Sequence, residues 1–294
     1  MEIGSWSLAC ERRGLVHSYI KVWSFSHSLN INISLSQHHH HHHQQYHISP
    51  TQQTQQYNNT LTPKMSPSIL VVLTSHADLA DTGKKTGWYL SEFSHPHHVF
   101  ASSSPPPKIT VASPRGGAAP LDQSSIEAAK DDEISVEFLH KQSALWEATT
   151  PLSQILQQGI DSYDALFFPG GHGPMFDLAG DKESQEIVKR FWEAGKIVSA
   201  VCHGPAALVN VKLSNGDYLL KGKKVTAFSN SEEDGVGLSE KMPFMLETRI
   251  KEVGAEYEKA GQDWGEKLVV DGKLITGQNP ASAKAVGEAI LKVI

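Results

Sequence analysis

The residues with the clearest chemical capacity are Cys202 and His203, adjacent in the stretch Ile197-Val198-Ser199-Ala200-Val201-Cys202-His203-Gly204-Pro205-Ala206-Ala207-Leu208. An apolar run enters the cysteine, and a Gly-Pro turn opening a helix leaves it, which is the order of a nucleophile elbow. At such a corner the helix N-terminus favours thiolate over thiol, and its unpaired N–H groups can hold an oxyanion developing on a substrate. A cysteine nucleophile also needs a base within hydrogen-bond reach and a third group to orient that base. No histidine follows His203, so the base is His203 itself or comes from upstream. If the turn swings its ring back toward the sulfur, the second ring nitrogen is left for a carboxylate such as Glu233 or Glu232. An isolated Cys-His pair is more often a buried structural cysteine, so the surroundings must decide.

Three other stretches carry chemistry. Tyr163 to Phe168 is a short apolar strand that ends in Pro169-Gly170-Gly171-His172-Gly173-Pro174. Glycines beyond the carboxyl end of a strand let backbone N–H groups face a ligand. Glu92 falls in the last turn of a helix expected from about Lys85 to Phe93 and stopped by His95-Pro96, where a carboxylate opposes the helix dipole. Lys224 to Phe228 reads as a strand running into an acidic loop, Ser229 to Gly235.

The elements that must position these groups alternate between strand and helix from Ser68 onward, the pattern of an α/β fold with a mostly parallel sheet covered on both faces. Ile69 to Thr74 and Lys108 to Ala112 read as buried strands, and Tyr218 to Leu220 as another short one. Helical periodicity covers Ser124 to Lys130, Ile134 to Lys141, a segment opened by Pro151, and Glu183 to Ala194. Beyond the elbow come a helix from Pro243 to Val253, a hairpin over Val269 to Ile275 and a final helix over Ala281 to Lys292. Residues 1–64 differ from all of this: a six-histidine run, His38 to His43, precedes Gln/Asn/Thr-rich text without a period. That composition cannot bury a core, so 1–64 reads as a low-complexity extension or tag and 65–294 as a single domain, with Met65 a candidate start.

Of 294 residues 39% are apolar and 20% charged, which suits a globular domain with a sizeable core. The formal charge of −6 and the absence of a dense Lys/Arg cluster argue against a nucleic-acid partner. No apolar run reaches the roughly 18 residues of a membrane span. Two cysteines, Cys10 and Cys202, make no disulfide framework and point to a reducing compartment. Neither cofactor nor metal is expected: Gly170-Gly171-His172-Gly173 is not a Walker loop, and no downstream histidines offer zinc spacing.

Taken together, Ala200-Val201-Cys202-His203-Gly204-Pro205, Phe168-Pro169-Gly170-Gly171-His172-Gly173 and Glu92 ahead of His95-Pro96 resemble the ThiJ/PfpI superfamily. More closely they resemble its heat-shock-inducible branch, the glutathione-independent glyoxalases (glyoxalase III, D-lactate dehydratase). Ser113-Pro114-Arg115-Gly116-Gly117, Ala144-Leu145-Trp146-Glu147 and Thr276-Gly277-Gln278-Asn279-Pro280-Ala281-Ser282-Ala283 extend the resemblance over about residues 66–294. It implies a flavodoxin-like doubly wound sheet between helices, with Cys202 as nucleophile and His203 as adjacent acid/base. It further implies a triad carboxylate at Glu233, counted from Phe228, with Glu232 one step away, and a hydrogen bond from Glu92 to the sulfur. Gly171 and the His203 N–H match the oxyanion donors, and Gly170 and His172 line the substrate site. The implied reaction is cofactor-free conversion of methylglyoxal to D-lactate and of glyoxal to glycolate, by a cytoplasmic homodimer that can also enter the nucleus. A cysteine peptidase, a holdase chaperone and a redox sensor are the alternatives such a protein offers.

Overall fold

The structure, a computed structural model, describes residues 66–294. The expectations for residues 1–64 lie outside the described residues. Seven strands form the main sheet: β1 (Ser68–Val72), β2 (Lys108–Ser113), β3 (Thr150–Pro151), β4 (Ala165–Phe168), β5 (Ile197–Val201), and, after a two-strand excursion, β8 (Leu268–Asp271) and β9 (Leu274–Gly277). Their order is β3-β2-β1-β4-β5-β9-β8. Every pair is parallel except the β8–β9 hairpin. The chain thus steps from β1 to β2 on one side and returns to β4 on the other, making a doubly wound α/β sheet with a switch point between β1 and β4. The excursion pairs β6 (Lys224–Val225) with β7 (Glu256–Tyr257).

Burial explains why the central strands read as unbroken apolar text rather than alternation. Ile69, Val71, Ala165, Phe167, Ile197, Val201 and Ile275 face one core. Their neighbours Leu70, Val72, Leu166, Phe168, Val198, Ala200 and Leu274 face the other. A strand covered on both faces has no polar face to show. Each such Leu, Ile or Phe contributes about 1.5–3 kcal/mol over its exposed state. One cover is formed by helices α1 (Leu90–Ala101), α3 (Glu133–Lys141) and α10 (Ala283–Val293). The other is formed by α5 (Leu152–Gln158) and α7 (Lys182–Glu193). Between them in sequence lie α2 (Gln123–Ala128), α4 (Ala144–Glu147) and α6 (Gly173–Phe176), and the excursion carries α8 (Asn230–Val236) and α9 (Leu246–Glu252).

Four local expectations are corrected. Helix α1 starts at Leu90 and runs through Pro96 to Ala101, instead of ending before it. The proline is buried against α10, where a Cβ on Gly287 would lie 2.8 Å from Pro96 Cα, and that close packing outweighs the lost backbone hydrogen bond. Glu92 consequently sits in the first turn of α1, where the helix dipole favours a carboxylate; nothing about its helix position is unfavourable. Tyr218 to Leu220 forms a turn with a single bridge to Lys212, no strand. Ser229 to Gly235 is largely the helix α8, whose capping box pairs the Ser229 side chain with the Glu232 N–H and the Glu232 side chain with the Ser229 N–H.

Candidate active site

The chemistry-bearing residues converge beyond the carboxyl ends of β4 and β5, beside the switch point. After β5 the chain turns on Cys202, whose φ of 60° is left-handed backbone that a non-glycine residue adopts at a cost of about 1–2 kcal/mol. Tertiary bonds hold it there: the Cys202 N–H donates to Gly277 O at 3.0 Å, and the Cys202 carbonyl accepts from Phe228 N–H at 2.9 Å. Next comes a 3-10 turn, Gly204–Ala207, in place of the expected α-helix. The dipole assistance anticipated for the thiolate is correspondingly small, because only one short turn is aligned with the sulfur. Glycine is needed at 204, since a Cβ there would overlap the Phe168 carbonyl oxygen.

The sulfur is surrounded by partners instead. His203 folds back so that Nδ1 lies 3.4 Å from Cys202 Sγ. Its Nε2 is 2.6 Å from Glu233 Oε2. Backbone N–H groups of Gly171 and His203 point at the sulfur and act to lower the thiol pKa. Gly171 takes a φ of 86°, open to glycine, and a Cβ there would overlap the Gly87 carbonyl. Glu92, fully buried, accepts the Gly170 N–H at 2.8 Å through Oε2, while its Oε1 has no conventional partner. Burial pushes the Glu92 carboxyl up to about 8, against the opposing pull of Cys202 and the Gly170 N–H.

Cys202 and Glu92 therefore titrate as one unit. Burial, and then a charged Glu92, push the Cys202 thiol up. At neutral pH Glu92 holds its proton, so the repulsion is absent and its O–H is a donor for a thiolate. The site disfavours charge on both groups at once: burial raises each of them, and a charged Glu92 raises the Cys202 thiol further.

Glu233 does more than orient one histidine. Its Oε1 also pairs with His172 Nε2 at 2.9 Å, so one carboxylate bridges two imidazoles whose rings lie 4.3 Å apart. Burial works to raise the Glu233 carboxyl, but the two histidines outweigh it and hold it well below the usual carboxylate range. His203 is shifted down, by burial first and then by His172. Phe228 packs on the other side of the His203 ring at 4.4 Å, and Trp264 meets Phe228 edge-on at 5.5 Å. The neighbouring Glu232 is turned away from the site: it binds the Trp264 N–H at 2.9 Å and Asn279 Nδ2 at 2.8 Å.

The fold thus brings Cys202, His203, Glu233, Glu92, Gly170, Gly171 and His172 into one site. A sequence model of the DJ-1/PfpI family matches residues 87–293. The chain belongs to the DJ-1/PfpI family. Glyoxalase 3 of Candida albicans is 33% identical over 229 residues, 76% of this chain and 96% of the relative. The glutathione-independent glyoxalase HSP31 of Saccharomyces cerevisiae is 30% identical over 226 residues, 74% of this chain and 94% of the relative. Among solved structures, glyoxalase III from Candida albicans superposes with a TM-score of 0.66 at 29% identity, covering 78% of this chain and 97% of that one. Rapid Encystment Protein 24 kDa of Francisella tularensis gives a TM-score of 0.71 at 36% identity, covering 77% and 98%. No helix among the described residues is long and apolar enough to cross a membrane.

Two features of this DJ-1/PfpI site escaped the sequence reading. Tyr89, half-buried at the start of α1, has its phenol pushed up to about 12 by burial and then by Glu92 and Cys202, so it stays a neutral donor beside them. The second is the His172–Glu233 bond, for which the linear sequence holds no signal. The Ser229-x-x-Glu232 capping signature, by contrast, was available to mark both the start of α8 and the structural role of Glu232.

Proposed function

We propose that this protein is a glutathione-independent glyoxalase that converts methylglyoxal to D-lactate and glyoxal to glycolate. The observation that carries the reading is the pairing of Cys202 with a buried, protonated Glu92 on one side and the His203–Glu233 couple on the other. A proton donor at the nucleophile, additional to the His203–Glu233 couple, suits a reaction that must take a proton from one carbon and return one to its neighbour. The relatives named glyoxalase, which this chain matches over nearly their whole length, support the same class.

In this mechanism the Cys202 sulfur attacks the aldehyde carbon of methylglyoxal, and the C–O π pair becomes an oxyanion held by the N–H groups of Gly171 and His203. Protonation of the oxyanion gives a hemithioacetal. His203, kept neutral by burial and oriented through Nε2 by Glu233, removes the proton from that carbon to give an enediol. Return of a proton to the adjacent carbon, from one face only, leaves a lactoyl thioester. Water then cleaves the thioester and restores the thiol. The net change is addition of one water with an internal oxidation and reduction, so no external electron carrier enters.

Glu92 moves the proton that the second carbon requires, because its raised pKa keeps it loaded at neutral pH. His172 orients Glu233 and closes the substrate side of the triad. The working unit is a homodimer of cytoplasmic chains, with residues 65–294 as the catalytic domain. Incubation of purified protein with methylglyoxal, glutathione omitted, is expected to yield lactate of the D configuration. Racemic lactate, or a strict requirement for glutathione, would overturn the reading.

A further inference from the structure

His172, His203 and Glu233 bring three potential metal-ligand atoms within 4.8 Å of one another. They arrive from three separate segments, so no local spacing announces them. Both imidazoles present Nε2 to the same carboxylate, at 2.6 Å for His203 and 2.9 Å for His172. Two imidazole nitrogens and a carboxylate oxygen are the donor set of an open zinc site, in which water takes the fourth position. A tetrahedral zinc with bonds of about 2.0–2.1 Å holds its donors roughly 3.3 Å apart, so the two short histidine–carboxylate contacts of 2.6 and 2.9 Å would open and the widest separation, now within 4.8 Å, would close around the ion. The His172 side chain is 16% exposed, against 1% for His203 and 5% for Glu233, and marks the path by which an ion would enter. Behind the cluster, His203 Nδ1 faces the Cys202 sulfur at 3.4 Å, in the place of the outer-shell partner that metal-bound histidines require.

We infer that this cluster is a divalent-cation site, with zinc the matching ion, and that its occupation switches the cysteine machinery off. Zinc takes the place of the proton that each Nε2 now donates to Glu233, and that proton moves to Nδ1, so each neutral imidazole then carries its one proton on Nδ1. In His203 this turns Nδ1 into a donor toward sulfur, and the ring can no longer accept a proton from Cys202 or from a bound substrate. Glu233 exchanges its two histidine hydrogen bonds for a bond to the metal. No electron moves, and removal of the ion restores the hydrogen bonds. The inhibition clause rests on the function proposed above; the binding clause does not.

The His38 to His43 run would bind zinc on its own account, so the test uses the full chain with those six residues replaced by alanine. Zinc chloride titrated against a chromophoric chelator is expected to reveal one competing site per chain. His172→Asn and Glu233→Gln should each weaken it by on the order of a hundredfold, as loss of a ligand costs at least what loss of its outer-shell partner does. Cys202→Ser should leave it within a few-fold. Circular dichroism establishes that each variant is folded, and His172→Asn, at the most exposed ligand, carries the test should Glu233→Gln fail to fold. Cobalt(II) in place of zinc is expected to give visible d–d bands without a thiolate charge-transfer band. Methylglyoxal turnover should fall in step with zinc occupancy and return on chelation. Absence of the site, its survival in His172→Asn, or a thiolate band with loss of binding in Cys202→Ser would overturn the assignment. Binding without inhibition would overturn the switch, and binding in a protein without methylglyoxal turnover would sink the proposed function while leaving the site standing.

Discussion

Replacing Glu92 by glutamine should make the protein more stable and less active together, and pH should separate the two effects. The carboxyl has an ordinary value of 4.5 and is raised to about 8 in the fold, chiefly by burial. Between those values the unfolded chain is ionised at this position while the folded chain still holds the proton, so stability falls as pH rises. At about pH 7.5 the accumulated loss is roughly three units of about 1.36 kcal/mol, or about 4 kcal/mol; at about pH 4.5 it is under about 0.5 kcal/mol. Glutamine has nothing to ionise. Its carbonyl can accept the Gly170 N–H that Glu92 now accepts at 2.8 Å, and its amide can face the sulfur in place of the carboxyl O–H. Urea titrations should therefore coincide near the lower pH and diverge near the higher one, with the variant ahead by several kcal/mol. With about 2–4 °C per kcal/mol for a domain of this size, the gain in Tm is on the order of 10 °C. Lactate formation should fall by on the order of a hundredfold or more, the usual worth of a positioned acid/base, while alkylation of Cys202 stays fast. A variant no more stable at the higher pH would refute the claim that the fold holds Glu92 neutral. Unchanged turnover would refute its part in proton transfer.

Cys202→Ser should abolish dicarbonyl turnover with the fold intact by circular dichroism, because a serine alkoxide is far scarcer at neutral pH than a thiolate; activity near the original level would remove the covalent mechanism. Glu233→Gln should lower turnover while leaving some, since nucleophile and base remain. Glu232→Gln should instead cost about 1–3 kcal/mol of stability through its bonds to Ser229, Trp264 and Asn279, with activity per folded molecule kept, and the opposite pattern would exchange the two roles. A chain beginning at Met65 should keep the melting temperature and turnover of the full protein, and marked loss of either would make residues 1–64 part of the working domain.

Legible from the order of residues alone were the alternation that makes a doubly wound sheet, the strand-to-turn corner at Cys202 and the glycine loop after β4. All three are local: a buried strand is a short unbroken apolar run, and a tight turn must be built from residues that can make it. The residues themselves left two adjacent glutamates for the third triad member, and only the family resemblance favoured Glu233, because adjacent side chains leave a helix about 100° apart and packing says which faces inward. In the fold Glu232 is drawn off by its own capping box, leaving Glu233 for the histidines. The thiol's environment was misjudged for a related reason. Helix position suggested dipole effects, at the wrong end for Glu92 and too large for Cys202. What governs both is desolvation in a site assembled from α1, the β4 loop and the elbow, and desolvation depends on every element packed around a group, which no short stretch of sequence contains. The meeting of His172 with Glu233 is of the same kind: two residues joined only because β4, β5 and the start of α8 end at the same place.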